Sequence, residues 1–151
     1  MASVIGFSSC EKLDQKPLDQ YEVETFWKTE AEVDYAVTGL YNGWEAGSQI
    51  LYMDCASDNS HSEFVWDTFQ VLGNGTATPT NSGNAATRFS YSHIRRANII
   101  LENIDRATIP DDVKKRLKAE VKVIRAYRYL DLATLFGNVP LITKPTKIEE
   151  S

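Results

Sequence analysis

Residues 119–141 read AEVKVIRAYRYLDLATLFGNVPL, and this stretch decides the fold. Its apolar residues recur at helical spacing, which predicts one long helix from Pro110 to about Phe136. Pro110 suits the first helical position, Gly137 supplies the stop, and residues 138–142 are expected to be extended. The apolar residues fall on two faces, one with Leu117, Val121, Ile124 and Leu135 and the other with Val123, Tyr127 and Leu130. A helix that is buried on both faces is expected in the middle of a helical stack.

A shorter helix is predicted near the amino-terminal end. Thr29 and Glu32 fit a capping box, in which Thr29 caps the helix and Glu32 reaches back to the cap. The apolar residues that follow recur at helical spacing, and we expect the helix to end within Gly43–Gly47. The pair Phe26–Trp27, just before the cap, is expected to dock onto this helix.

The region between these two helices contains a further helix and a long loop. The helix is predicted over roughly Ala86–Arg106, with one apolar stripe that includes Asn98. Because a buried amide must be satisfied, we expect Asn98 to bond a loop backbone. Residues 48–86 are rich in turn formers and are predicted to be a long loop, a kind of segment that often carries function.

The composition limits the classes of function. The chain has 151 residues, enough for one ordinary domain, and its 42% hydrophobic and 25% charged content is typical of a folded protein. A net charge of -5 gives no basis for binding nucleic acid. No apolar run approaches the ~20 residues that span a bilayer. Two cysteines, Cys10 and Cys55, are too few for a disulfide framework or a four-cysteine zinc site.

The first ten residues resemble the end of a bacterial lipoprotein signal peptide. Apolar residues and the small Ser8–Ser9 pair precede Cys10, whose thiol would carry the lipid. The apolar segment is short and no basic residue precedes it, so residues 1–10 are expected to be a truncated signal remnant. Residues 11–28 are expected to be a tether. The alternatives are an ordinary unpaired Cys10, or a disulfide with Cys55 that would compete with lipidation.

Three stretches together carry a family resemblance: FWKTE at residues 26–30 leading to GLY at 39–41, YSHIRRANII at 91–100, and the stretch quoted first. In order and spacing they resemble the SusD/RagB family over nearly the whole chain. The second resembles its Tyr-x-x-Ile-x-x-Ala-Asn helix, and the third its Gly-Glu-Ala helix with a Phe-Gly-x-Val-Pro-Leu ending. The chain departs from the family pattern at Ala119, at Val121, and at Thr87, where a tryptophan often stands.

The resemblance implies a mainly α fold of tetratricopeptide-like helical pairs with a long loop, the N-terminal portion of a SusD-like fold. It implies a lipoprotein, anchored through Cys10 on the outer face of the outer membrane, that captures oligosaccharide or polysaccharide. The glycan would pass to a SusC-like TonB-dependent transporter. Because family members are several-fold longer, residues 29–151 are expected to be an incomplete SusD-like N-terminal helical domain. No catalysis and no cofactor are expected. The alternative is a helical-repeat protein-interaction module of an envelope complex, without a sugar site.

The motif residues Glu120 and Arg125 are interpreted as structural. Five positions apart on a helix, their side chains do not face one another. We therefore expect each to bond a neighbouring helix or cap, and not to form a catalytic pair.

Residues 54–89 are the best local place for a sugar site, because flat aromatic faces there lie close to hydroxyl-binding groups. Trp66 is the expected stacking platform, and Asp58, Asn59 and Asp67 are expected ligands for sugar hydroxyls. The alternative for Trp66 is that it packs on the helices. This site follows from the loop composition alone, since no family motif falls on these positions.

The sequence contains no recognisable metal-binding loop and no recognisable nucleophile motif. The spacing of Asp54, Cys55, Asp58 and His61 matches no established zinc or calcium loop, so no metal is predicted. His61 and His93 have no nucleophile motif nearby, and no glycine-rich phosphate loop occurs.

Overall fold

The computed structural model describes residues 26–44, 47–64 and 69–145, and within these ranges the protein is mainly helical, as predicted. The α-helices there are α1 (Glu30–Thr38), α2 (Gly47–Asp54), α3 (Gln70–Gly73), α4 (Ser92–Asn103) and α5 (Asp111–Phe136). Short 3-10 helices cover Gly39–Tyr41, Gly83–Arg88 and Ile104–Arg106. These ranges contain no β-strand, and a single isolated bridge joins Thr78 to Asn81.

The capping box at the start of α1 is confirmed. The Thr29 hydroxyl accepts from the Glu32 N–H at 3.3 Å, and the Glu32 carboxylate accepts from the Thr29 N–H at 2.8 Å. These backbone donors, with that of Lys28, hold the pKa of Glu32 below its usual value because they stabilise the charged form. The helix ends earlier than expected, at Thr38, and tightens into the 3-10 turn Gly39–Tyr41.

Helices α4 and α5 form an antiparallel pair, and α1 packs against both of them. As the chain runs along α4 into the following 3-10 turn, its partners lie ever closer to the start of α5: Asn98 contacts Arg125, and Asp105 contacts Lys118. The core between the three helices is built from the buried Trp27, Val33, Val37, Leu40, Ala97, Ile100, Ile104, Ala107, Leu117, Val121 and Ile124. Trp27 therefore docks onto the first helix as predicted.

The prediction of one long loop over residues 48–86 is wrong. Helix α2 begins at Gly47, α3 adds a single turn, and Gly83–Arg88 forms a 3-10 helix. These elements are too short to display an apolar period, so their sequences look like loops. The second predicted helix is correspondingly shorter than Ala86–Arg106, since regular α4 occupies only Ser92–Asn103.

The end of α5 is confirmed, whereas its expected burial on two faces is wrong for the described residues. The helix ends at Phe136, and Gly137 follows with a φ of +71°, a backbone conformation that favours glycine. At the start, Pro110 is the cap and the helix begins at Asp111. Val123 and Leu130 are 68% and 64% exposed, because no described element packs on their side of the helix.

Asn98 joins the three parts of the fold. It is 1% exposed, its amide donates to the carbonyl of Ile142 at 3.0 Å, and its oxygen accepts from Arg125 at 2.6 Å. The Tyr129 hydroxyl donates to the same carbonyl at 2.9 Å and accepts from the Ile142 N–H at 2.7 Å. The chain that returns after α5 is thereby fixed to the helix pair, which confirms that Asn98 bonds a loop backbone.

Asn98→Ala is expected to lower the free energy of unfolding by about 2–3 kcal/mol, because it removes the Asn98 oxygen that the partly buried Arg125 guanidinium binds and one of the two donors to the Ile142 carbonyl. Urea denaturation followed by circular dichroism measures the loss. Asn59→Ala, at an exposed position, is the control and should change stability by less than ~0.5 kcal/mol. Equal stability of the two variants would contradict the role of Asn98.

Gly39→Ala is expected to stabilise the protein by about 0.4–1 kcal/mol. Gly39 has the right-handed helical conformation, with φ -60° and ψ -21°, and a Cβ built on it meets nothing within 4 Å. Alanine therefore fits the native backbone while it reduces the freedom of the unfolded chain. A lower thermal midpoint than that of the parent protein would refute this.

Candidate functional site

A cleft of about 490 Å³ lies between α2, the 3-10 segment Gly83–Arg88 and the α4–α5 pair. Charged, amide, hydroxyl and aromatic groups share its walls, which is the mixture expected of a site for a polar ligand. The lining residues are Gly43, Ser48, Gln49, Tyr52, Phe69, Asn84, Thr87, Arg88, Ser90, His93, Arg128, Asp131 and Leu132.

The turn Asn42–Gly43 at the rim of the cleft is held by both long helices. His93 on α4 donates from Nε2 to the Asn42 carbonyl at 2.8 Å, because a carbonyl oxygen can only accept a hydrogen bond. Arg128 on α5 donates to the Gly43 carbonyl at 2.6 Å. Gly43 has a φ of +82°, and a Cβ there would lie 3.1 Å from the His93 ring, so glycine suits this position.

An ion pair fixes the opposite wall. One terminal nitrogen of Arg88 donates to both carboxylate oxygens of Asp131, at 2.9 and 3.1 Å. The two side chains are only 12% and 17% exposed, so water screens the pair less than it would on an open surface. The pair ties the 3-10 segment Gly83–Arg88 to α5 and sets the width of the cleft.

Arg128 packs against two stacked aromatic rings, those of Trp44 and Tyr127. Trp44 and Tyr127 stack with centroids 4.7 Å apart and planes 15° apart. The Arg128 guanidinium lies 5.6 Å from the Trp44 ring centroid, within range of a cation–π interaction. The stacking restricts the rotamers of Arg128, which keeps its contact with the Gly43 carbonyl in place.

Glu120 and Arg125 bond neighbouring elements, as predicted. The Tyr41 hydroxyl, at the end of the 3-10 turn after α1, donates to Glu120 at 2.8 Å. That bond to a carboxylate raises the pKa of Tyr41 above its ordinary value, because loss of the phenol proton would bring two negative charges together. Arg125 donates to Asn98 on α4. Both residues of α5 therefore hold other helices in position.

Of the residues that the sequence proposed for sugar binding, the structure describes Asp58 and Asn59, and these two do not line the cleft. Asp58 and Asn59 are exposed on the segment after α2, where the Asn59 N–H donates to the Ser57 hydroxyl at 3.2 Å. Trp66 and Asp67 lie outside the described residues, as does the expected lipid anchor Cys10.

Sequence reasoning missed the pairing that builds the cleft. Arg88 and Asp131 are 43 positions apart; Asp131 lies in the third family stretch but was given no role, and Arg88 belongs to no motif. Asn84 and Thr87 fall within residues 54–89, the segment that the sequence favoured, but nothing in the pattern singles out their side chains. On the α4 side of the cleft, His93 is the lining residue that stood out in the sequence, and no partner was predicted for it.

The described residues also bear on metal binding and on membrane insertion. Within residues 26–44, 47–64 and 69–145, no group of three or more His, Cys, Asp or Glu side chains could hold a metal ion. In the same ranges, every helix is too short or too polar to cross a bilayer. Cys55 is buried, and His61 lies exposed in the chain that follows it.

The SusD-like family model described as starch-binding and associating with the outer membrane matches residues 11–151. The chain belongs to the SusD-like family. A SusD-like protein of Formosa agariphila is 31% identical over 94% of the chain and 30% of its own length. A second from that organism is 29% identical over 91% of the chain and 28% of its own length. A SusD-like protein of Bacteroides ovatus is 26% identical over 96% of the chain and 28% of its own length.

This SusD-like chain thus spans about 30% of the length of the curated relatives that it matches. No solved structure matches it significantly. The match confirms the family that the three sequence stretches indicated, and the mainly helical fold agrees with an N-terminal portion of a SusD-like protein.

In this SusD-like chain, Arg88→Ala and Asp131→Ala are each expected to cost about 1–3 kcal/mol of stability, because each breaks an ion pair that is largely shielded from water. The double variant R88A/D131A should cost less than the sum by at least about 1 kcal/mol. Urea denaturation of all four proteins measures this coupling.

The exposed pair Asp105–Lys118, with side chains 64% and 29% exposed, is the matched control. Its coupling energy should stay within about 0.2–1 kcal/mol, because water screens the charges. Additive costs at Arg88 and Asp131 would mean that their ion pair does not hold the cleft wall.

Proposed function

We propose that this chain is part of a surface-exposed lipoprotein that captures oligosaccharides and delivers them to a SusC-like TonB-dependent outer-membrane transporter. The match of residues 11–151 to a family described as starch-binding supports the ligand class and the outer membrane as location. The observation that carries the proposal for this chain is the cleft between α2 and α5, where hydrogen-bonding groups and aromatic rings share one concave surface.

The chemistry of the lining suits a glycan. Sugar hydroxyls both donate and accept hydrogen bonds, and side-chain amides and hydroxyls can likewise accept from them and donate to them. Such groups line the cleft at Ser48, Gln49, Asn84, Thr87 and Ser90. The rings of Tyr52 and Phe69 supply apolar surface for the C–H faces of a sugar.

The cleft is held open before any ligand arrives. The Arg88–Asp131 pair fixes one wall, and the bond of Arg128 to the Gly43 carbonyl fixes the rim. A site whose supporting groups are already ordered loses less conformational entropy on binding, which favours capture of a weakly held ligand.

Capture here requires no covalent step. The ion pair and the imidazole of the cleft are engaged in structural bonds: Arg88 with Asp131, and His93 with the Asn42 carbonyl. We therefore propose binding without catalysis, and we expect no release of reducing sugar when the protein is incubated with a polysaccharide.

Three further assignments stay predictions from the sequence. Trp66 with Asp58, Asn59 and Asp67 is the glycan site that the sequence predicts, and beside the cleft we propose it as a second contact for the glycan chain. Cys10 is proposed as the lipid anchor, with the protein facing outward. The division into residues 1–10, 11–28 and 29–151 is proposed on the same basis.

Affinity gel electrophoresis of the protein tests capture, with native gels that contain amylopectin or another polysaccharide of a panel. We expect one glycan class to retard the protein. Q49A/N84A, which removes two amides from the cleft, should reduce the retardation by at least about fivefold, since each lost hydrogen bond contributes about 0.5–1.5 kcal/mol. Trp66→Ala should also reduce it if the second contact is used.

The double variant D58A/N59A separates the cleft from the second contact, because it also removes two polar side chains, from an exposed segment outside the cleft. We expect it to reduce the retardation less than Q49A/N84A does. Loss of retardation with D58A/N59A but not with Q49A/N84A would place the site on that segment and refute the cleft. No retardation by any glycan, from protein shown to be folded, would favour the alternative of a protein-interaction module.

A further inference from the structure

The wall of the cleft around Asp131 carries three oxygen-bearing side chains. Thr87 directly precedes Arg88 in the chain, Ser90 follows Arg88 two positions later, and Arg88 binds Asp131. Thr87, Ser90 and Asp131 all line the cleft. A ligand in the cleft therefore meets two hydroxyls and a carboxylate on the same wall.

The protons of both hydroxyls are used within the protein. The Thr87 hydroxyl donates to the Asn84 carbonyl at 2.7 Å, and the Ser90 hydroxyl donates to the Ser92 hydroxyl at 3.1 Å. The Ser90 oxygen also accepts from the Ser92 N–H at 3.4 Å. Because a hydroxyl has one proton and two lone pairs, each of these oxygens keeps a lone pair, but no proton, for a ligand.

The carboxylate of Asp131 is an acceptor as well. In its ion pair with Arg88 it accepts two hydrogen bonds, at 2.9 and 3.1 Å. A carboxylate offers about four acceptor positions, so Asp131 can accept further bonds from a ligand. Toward the inside of the cleft, all three side chains of this wall are therefore hydrogen-bond acceptors.

An acceptor wall distinguishes free sugar hydroxyls from substituted ones. A free hydroxyl donates to the wall, whereas an O-acetyl or O-methyl group has no proton to donate. Such a group would displace water from Asp131 without replacing its hydrogen bonds, which is unfavourable for a charged acceptor. The amides of Gln49 and Asn84, which also line the cleft, do not discriminate in this way, because they can donate to ester and ether oxygens too.

We propose that the cleft takes glycans whose hydroxyls are unsubstituted where they meet Asp131, and that it discriminates against O-acetylated and O-methylated forms of the same glycan. This inference rests on the capture function proposed above and adds the chemical class of the ligand. Thr87 and Ser90 are then specificity-determining residues, because their committed protons make the wall an acceptor.

Native affinity gels test the discrimination with amylopectin, xylan and galactomannan. Each polysaccharide is used unsubstituted, chemically O-acetylated on most sugar units, and O-acetylated and then de-esterified with mild alkali. For a polysaccharide that retards the protein, we expect acetylation to raise the dissociation constant by at least about tenfold, because a site built to bind a hydroxyl rejects an analogue without it. De-esterification should restore the original value.

Thr87→Val removes one acceptor of the wall and keeps the branched shape of the side chain. It should weaken binding of the unsubstituted polysaccharide by about two- to tenfold and leave binding of the acetylated form unchanged, so that the preference shrinks by the same factor. Thr76→Val is the matched control. Thr76 is exposed outside the cleft, and its hydroxyl also donates to a backbone carbonyl, that of Val71, at 3.4 Å. This control should keep both the affinity and the preference of the parent protein.

The outcomes separate this inference from capture itself. Equal retardation by the unsubstituted and the acetylated form of one polysaccharide would overturn the inference and leave capture standing. The inference would also fail if Thr87→Val kept the full preference, or if Thr76→Val lost as much of it. No retardation by any unsubstituted polysaccharide, from protein whose circular dichroism spectrum shows that it is folded, would overturn capture and the inference together.

Discussion

The fold depends on a buried amide that connects three segments far apart in the chain. Asn98 receives a hydrogen bond from Arg125 on α5 and donates one to the carbonyl of Ile142. A buried amide without partners costs about 1–3 kcal/mol, so the arrangement of α4, α5 and the returning chain is largely all or none. Tyr129, which exchanges two hydrogen bonds with Ile142, strengthens the same junction.

The cleft follows from this rigid helix pair. Helix α4 presents His93 and α5 presents Arg128, and each bonds a carbonyl of the Asn42–Gly43 turn. Asp131, one turn further along α5, binds Arg88 and so fixes the 3-10 segment Gly83–Arg88, which forms the opposite wall of the cleft. The polar groups that define the cleft are therefore placed by structural bonds. The amides and hydroxyls that line it come from α2, from the 3-10 segment and from Ser90, which follows that segment.

Helix α5 serves a different purpose on each of its sides. The face with Leu117 and Val121 fills the core and, further along the helix, carries Arg128 and Asp131 to the cleft, whereas the opposite face with Val123 and Leu130 is exposed.

The sequence by itself determined the capping box at Thr29, the extent of α5, its stop at Gly137 and the membership in the SusD-like family, because these features are local or recur as ordered motifs. It also implied that Asn98 must find a backbone partner. It could not reveal α2, which is too short to show a period. Nor could it pair Arg88 with Asp131, or decide which face of α5 is buried. Those outcomes depend on distant segments meeting in space, and local pattern carries no information about which segments meet.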